Sequence, residues 1–374
     1  MKKILFIATI HKHFLAFHVP YIKWLKEQGF VVHTVANGSE IIPYVEKQYM
    51  LPIERQPLRF NNILAIQKLK QIIEQEQYAL IHCHTAMGAV VARLASRGSR
   101  KKYGTKVLYT VHGFHFFKGS PKSYWLFYYP VEKLLSRFTD TIVTINREDY
   151  DLVLNKGFRN HDTYLINGIG VRTERFFVPD LYKKEELRNK YGYKINDFIL
   201  IYTAEYIQRK NHKFIIKSLP LMIKQIPEIK VLFAGRGGLM KQSIKLAEAL
   251  GVGKYIDFLG FTNNVEEFIA LSDIGVSVSR QEGLGLNLAE EMFSGLPVVA
   301  TLDRGHKELV NHGVNGYMFE QNNQEGFIGY IIELYNNPAK RKTMGEEAHR
   351  SVQKFSLENS LESMAEIYNS LLKA

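Results

Sequence analysis

The stretch Ser277–Thr301, SVSRQEGLGLNLAEEMFSGLPVVAT, decides the fold of this chain. Its β-branched, alternating start ends in a polar turn that contains Gly283 and Gly285. A helix then opens, and an apolar run follows Pro297. That order is strand, loop, helix, strand, the repeating unit of a parallel α/β sheet. Glu282 falls in the loop, and Glu290 lies about one turn into the helix. In such sheets ligands bind at the carboxyl ends of strands, and a helix amino end there favours anions. Carboxylates beside an anion site grip phosphate poorly but accept hydrogen bonds from sugar hydroxyls well. A nucleotide sugar carries both groups.

Working outward, the amino half alternates apolar runs with amphipathic stretches. Strands are expected at Ile4–Ala8, Val31–Val35, Leu80–His84, Val107–Val111, Thr141–Thr144 and Thr163–Ile166. Helices are expected at Pro20–Gln28, Ile63–Glu76, Met87–Arg97 and Tyr124–Phe138. A charged stretch, Asp180 to Asn196, reads as a linker running into a short helix. A second series of strands follows at Phe198–Tyr202, Lys230–Ala234, Ile256–Leu259, Ile274–Val278 and Val298–Ala300. The pattern implies two doubly wound parallel-sheet, Rossmann-like domains. Their expected limits are 1–178 and 179–355, with 356–374 a closing amphipathic helix.

A length of 374 residues is enough for two substantial cores, and 46% hydrophobic with 23% charged residues describes a globular protein. No apolar run reaches the about 18 residues needed to span a bilayer. The opening MKKILFIATI imitates a signal peptide, but His11-Lys12-His13 cuts it short and it reads as a first buried strand. The single cysteine, Cys83, permits no internal disulfide, fits a reducing cytoplasm, and lies in an apolar run as a core residue.

Charge is unevenly placed. Residues 1–180 hold 25 Lys and Arg against 14 Asp and Glu, and the remainder holds 24 against 23. A basic half beside a neutral half implies an anionic partner for the first. Lys118, Lys122, Lys133 and Arg137 flank Tyr124, Trp125, Phe127, Tyr128 and Tyr129, a mixture suited to a membrane interface. Arg93, Arg97, Arg100, Lys101, Lys102 and Lys106 read as a second basic patch that a core cannot absorb. No nucleic-acid module is visible, so an anionic membrane surface is the expected partner and nucleic acid is not.

Several strand ends carry chemistry. Arg209 and Lys210 follow the strand Phe198–Tyr202 and directly precede a helix, well placed to meet a diphosphate. Gly235 follows Lys230–Ala234, where a glycine lets backbone approach a ligand. His112, after Val107–Val111, can donate a hydrogen bond or stabilise developing charge. His82, His84, His112 and His115 invite a zinc reading, but no cysteine or nearby carboxylate completes a set, and no metal is expected. Asp149-Tyr150-Asp151 follows Asn146 and reads as an acidic helix start rather than a metal motif. The segment Thr9–His18 reads as a loop whose histidines and Lys12 shape acceptor recognition.

The segment around Glu282 closely resembles the signature of the retaining glycosyltransferase family 4. There a Glu, seven residues and a second Glu precede a Met and a small-Gly-x-Pro-Val turn, matched here by Glu282, Glu290, Met292 and Ser294–Val298. The resemblance implies the GT-B fold, two domains facing a cleft, with the last helix returning to the first domain. It implies that Glu282 meets the donor-sugar hydroxyls and Glu290 the nucleotide ribose, while Glu291 points elsewhere. It gives His112 a place near the reaction centre, and Gly283, Leu284, Gly285 and Leu286 a place at the nucleotide. Lys210-Asn211-His212 matches the family, whereas Glu205 stands where a cation is usual. Arg209 could restore that charge, or Lys210 and helix-end amides could suffice.

His82-Cys83-His84-Thr85, the His-Gly-Phe-His-Phe-Phe run and Asn146–Tyr150 are similar to bacterial capsule and exopolysaccharide enzymes. That implies a UDP-sugar donor, no cofactor, and a glycan acceptor on a polyprenyl diphosphate. It also implies a cytoplasmic enzyme, peripheral at the inner face of the membrane. Lys210, Glu282 and His112 are the expected catalytic residues. A sugar-nucleotide 2-epimerase and a non-catalytic nucleotide-sugar-binding membrane adaptor are the rival readings.

Overall fold

Among the described residues every strand pairs parallel to its neighbours, and the strands make two separate sheets. The structure is a computed structural model and describes residues 1–372. The first sheet holds β1 (Lys3–Ile10), β2 (Val31–Asn37), β3 (Lys47–Met50), β4 (Leu80–His84), β5 (Lys106–Val111), β6 (Thr141–Thr144) and β7 (Asp162–Leu165), in the order β3-β2-β1-β4-β5-β6-β7. The second holds β8 (Phe198–Thr203), β9 (Ile229–Ala234), β10 (Ile256–Gly260), β11 (Ile274–Ser277), β12 (Val298–Thr301) and β13 (Gly316–Phe319), in the order β10-β9-β8-β11-β12-β13. Each order reverses once, at β1/β4 and at β8/β11, and these are the points where open α/β sheets bind ligands.

The chain divides into a unit of residues 1–169 with 358–374 and a unit of 170–357. Each has its own core. Leu5, Ile7, Ile81, Cys83, Val107 and Ile142 are fully buried in the first, and Leu200, Val231, Phe233, Val276 and Val299 in the second. Strands covered on both faces read as continuous apolar runs, which is why the sequence marks them so clearly. Cys83 is a free, buried core thiol, as expected. The helix Leu357–Leu372 belongs with the first unit from Glu358 onward, and its Tyr368 hydroxyl bonds His82 Nδ1 at 2.8 Å. The second unit begins and ends at one place: Val171 N donates to Phe355 O at 2.9 Å, and Leu357 N to Val171 O at 2.8 Å.

Local signals explain the helix starts. Asn146 caps the helix Arg147–Asn155 by accepting from Asp149 N at 2.8 Å, so the acidic triplet is a helix start as read. Asp180 likewise caps Leu181–Tyr191, which closes at Gly192 with φ +77°. That helix occupies most of the stretch read as a linker. The segment Thr9–His18 is not a loop. It contains the helix His11–Phe17, which has no side-chain cap to announce it.

A second correction concerns charge. Arg93 is fully buried, its Nη2 lies 2.8 Å from Glu132 Oε2, and its guanidinium stands 4.5 Å over the Tyr109 ring. The core therefore does absorb part of the patch assigned to the surface. Arg100 is bound bidentately to Asp140, while Arg97, Lys101 and Lys102 remain exposed. On the helix Lys122–Ser136 the aromatics divide: Tyr124, Trp125, Tyr128 and Tyr129 pack on the core. Leu126, Phe127, Val131 and Leu134 face outward, 69%, 67%, 44% and 52% exposed. No helix among the described residues is long and apolar enough to cross a membrane.

Candidate functional site

The second unit gathers its polar groups where β8 and β11 end. Tyr202, one residue from the end of β8, donates its hydroxyl to Lys210 O at 2.8 Å and meets Ser279 Oγ at 2.9 Å. Arg280 N donates to Arg209 O at 2.8 Å. The two loops are thereby laced together, and they bring three sequence-identified residues into contact. Lys210 Nζ lies 2.5 Å from Glu282 Oε1, and Arg209 Nη1 lies 3.2 Å from Glu282 Oε2. Glu282 is 7% exposed. Burial works against its ionisation, but Lys210 first and Arg209 next outweigh that and hold its carboxyl at about 2.

The backbone of Glu282 is fixed from a third loop. Asp303 Oδ1 accepts from Glu282 N at 3.0 Å and from Gly305 N at 2.9 Å. His306, fully buried, places Nδ1 2.8 Å from Thr301 O, while its Nε2 has no hydrogen-bond partner. Nothing in the sequence spacing reveals that Asp303, 21 positions on, serves Glu282. Tyr202 is hidden for a simpler reason, since an aromatic in a buried strand reads as packing.

Gly283, Leu284 and Gly285 form the turn into the helix Leu286–Phe293. Gly285 sits at φ +98°, and a Cβ there would approach His306 Cδ2 to 3.0 Å, so this turn needs glycine. Leu288 N already donates to Gly285 O at 3.0 Å, so by helix geometry it is the amides of Leu286 and Asn287 that are left for an anion. Glu290 is half-buried, and desolvation pushes its carboxyl up to about 7. Glu291 is fully buried and packs against β11, where a Cβ on Gly275 would fall 2.3 Å from its Oε2. It thus points into the fold, away from the face that carries Glu290.

Gly235 has φ +153°, and a Cβ there would lie 1.9 Å from Ala204 O. Its amide donates to Gly260 O at 2.7 Å, so it offers close backbone approach rather than a free N–H. Glu205 is exposed.

In the first unit His112 follows β5, half-buried, with Nε2 3.3 Å from His84 Nδ1. Desolvation lowers its imidazole to about 4, so it is neutral at pH 7. His82 is turned to Tyr368 and Thr110, at 2.8 Å each, and exposed His115 stacks on Tyr128. The four histidines singled out in the sequence therefore do not form one set. His84 and His112 instead meet His13 and His18.

Two parallel α/β sheets, with basic and acidic loops meeting at the switch point of the second, define a protein of the GT-B fold. A family of glycosyl transferases group 1 matches residues 183–351, and a glycosyl transferase 4-like family matches residues 3–146. The chain belongs to this glycosyltransferase family. It is 43% identical over 99% of its length, and 97% of the relative's, to the Bacillus subtilis (strain 168) protein EpsD, which bears a glycosyltransferase name. It is 23% identical to the Escherichia coli UDP-Gal:alpha-D-GlcNAc-diphosphoundecaprenol alpha-1,3-galactosyltransferase, covering 83% of this chain and 82% of that one. The solved structure of Anabaena Alr3699/HepE in complex with UDP and glucose superposes with a TM-score of 0.80 at 20% identity, over 99% of this chain and 100% of that one.

Proposed function

We propose that this glycosyltransferase moves a sugar, with retention, from a UDP-sugar to a glycan carried on a polyprenyl diphosphate, in the assembly of an exopolysaccharide or capsule. The observation that carries the reading is the contact of Lys210 and Arg209 with Glu282 at the β8/β11 switch point. Cations there neutralise the leaving diphosphate, and the helix start near Leu286 adds amide dipoles, so no metal is required at the phosphates. Glu282 takes donor-sugar hydroxyls and Glu290 takes the ribose, with Gly235 and the Gly283–Leu286 turn shaping the nucleotide pocket. His112, neutral, serves as a hydrogen-bond donor during transfer.

The proposed reaction is a front-face displacement. The bond from the anomeric carbon to the diphosphate breaks, and the acceptor oxygen bonds the same face. The acceptor proton passes to the leaving phosphate, so UDP carries it away. No side chain acts as a covalent nucleophile. An inner-membrane acceptor also accounts for the basic first half and the outward row Leu126, Phe127, Val131 and Leu134, which suits a peripheral position on anionic lipid. HepE's complex with UDP and glucose, and the lipid-linked acceptor in the Escherichia coli enzyme's name, support the choice of donor and acceptor class.

The test is mass spectrometry of products from purified protein with a panel of UDP-sugars and polyprenyl-diphosphate glycolipids. A lipid gaining one sugar mass, with UDP released, is the expected result. An epimerised free donor would replace this reading with the 2-epimerase. Unchanged donors and lipids alongside retained UDP binding would replace it with the adaptor.

A further inference from the structure

Four imidazoles from three separate segments converge at the β1/β4 switch point of the first unit. His13 lies in the helix that follows β1, His18 caps that helix at its end, His84 closes β4, and His112 follows β5. Each offers a ring nitrogen to a set whose members all lie within 4.8 Å of one another. We propose that His13, His18, His84 and His112 form a binding site for a divalent cation of the zinc class.

The spacing fits that ion. Metal–nitrogen bonds of about 2.0–2.1 Å in a tetrahedron put neighbouring nitrogens about 3.3 Å apart. His18 Nε2 stands 3.1 Å from His13 Nε2, and His112 Nε2 stands 3.3 Å from His84 Nδ1. Two pairs at that edge length, brought close to each other, are the raw material of a four-nitrogen site. All-imidazole ligation suits zinc and its transition-metal neighbours and does not suit the hard, oxygen-seeking magnesium or calcium.

Packing fixes the rings: His18 and His84 stack with centroids 3.8 Å apart, and Phe6 stacks on His84 at 5.6 Å.

Four protein ligands make a closed site, whose work is to lock loops rather than to activate water. It ties the His11–Phe17 helix to the ends of β4 and β5. Ligation of His112 through Nε2 leaves its proton on Nδ1, which keeps the ring a hydrogen-bond donor. The inference concerns the first unit alone and does not rest on the proposed donor or acceptor.

The test uses the full chain with any affinity tag removed, purified without chelator. Elemental analysis should find about one zinc per chain. Replacement by Co²⁺ should give the visible d–d absorption of a tetrahedral nitrogen site. His13→Gln, at a half-buried position, and His18→Asn should each weaken zinc binding at least about tenfold. His115→Gln, outside the set, should leave it unchanged, with circular dichroism confirming that each variant is folded. Zinc should raise the thermal midpoint of the wild type and not of the His13→Gln/His18→Asn double variant. Wild-type protein with no zinc uptake and no Co²⁺ band would overturn the proposal, as would full zinc binding by a folded double variant.

Discussion

The ammonium of Lys210 lies 2.5 Å from Glu282 Oε1, so the cation assigned to the diphosphate is already engaged by the carboxylate assigned to the sugar. A donor that takes up both must exchange this ion pair for contacts of its own. Glu282→Gln removes the competition while keeping the shape. Transfer should fall about 10²–10³-fold, and UDP binding should hold or tighten, as measured by calorimetry beside a transfer assay. Lys210→Met should lower both. Unchanged turnover in Glu282→Gln would remove Glu282 from the mechanism.

Glu290 gives the site a pH dependence. Its carboxyl, raised from 4.5 to about 7 chiefly by burial, accepts more strongly from the ribose hydroxyls proposed for it once it ionises. UDP affinity should therefore rise between pH 6 and 8 by severalfold, on the order of the ionised fraction gained. In Glu290→Gln it should be weaker and flat. Folding stability runs the other way. A carboxyl whose folded value is raised contributes stability below its unfolded value that is lost as pH climbs through about 7. Relative to wild type, Glu290→Gln should be more stable at pH 8 by about 1–3 kcal/mol and no different near pH 4.5 in urea titrations.

Gly235→Ala tests backbone approach. The new Cβ would fall 1.9 Å from Ala204 O, so the loop leading to Arg209 and Lys210 has to move. We expect a loss of about 2 kcal/mol or more in stability, together with weaker UDP binding. Gly238→Ala, with nothing near its Cβ, is the control and should change neither.

Arg93 and Glu132 form a buried pair in the first core. Arg93→Met leaves Glu132 buried and uncompensated, at a cost of about 3–5 kcal/mol. Adding Glu132→Leu should recover most of that loss. Chemical unfolding of the single and double variants decides the matter, and a double variant as unstable as the single one would refute the ion-pair account.

The proposed membrane contact has its own readout. Leu126→Ser with Phe127→Ser should reduce binding to vesicles containing phosphatidylglycerol about tenfold or more, without altering UDP binding. Equal vesicle binding by the double variant would move the contact elsewhere.

The sequence showed more of the sheets than of the connections. Strands such as Leu80–His84 and Val107–Val111 are continuous apolar runs, and both appear at those residues or within one. β3 and β13 escaped because KQYM and GYMF are four residues long, and β3 lies at a sheet edge with no fully buried residue. The His11–Phe17 helix escaped because Ile10 cannot cap it. Arg93 looked like a surface cation because its partner lies 39 positions away, beyond any local pattern. Lys210, Arg209 and Glu282 were legible from their places at strand ends, whereas Asp303, which orients Glu282, showed only in three dimensions. The same holds for His13 and His18, since three separate segments must fold before they meet His84 and His112.

Because Val171 is bonded to both Phe355 and Leu357, the 170–357 segment starts and finishes at a single seam. A piece of chain with its ends already joined can be spliced out, or a homologous one spliced in, without stretching the host sequence across a gap. Modular exchange at this seam is thus an open route by which such enzymes could trade one sugar specificity for another while the remaining framework stays intact.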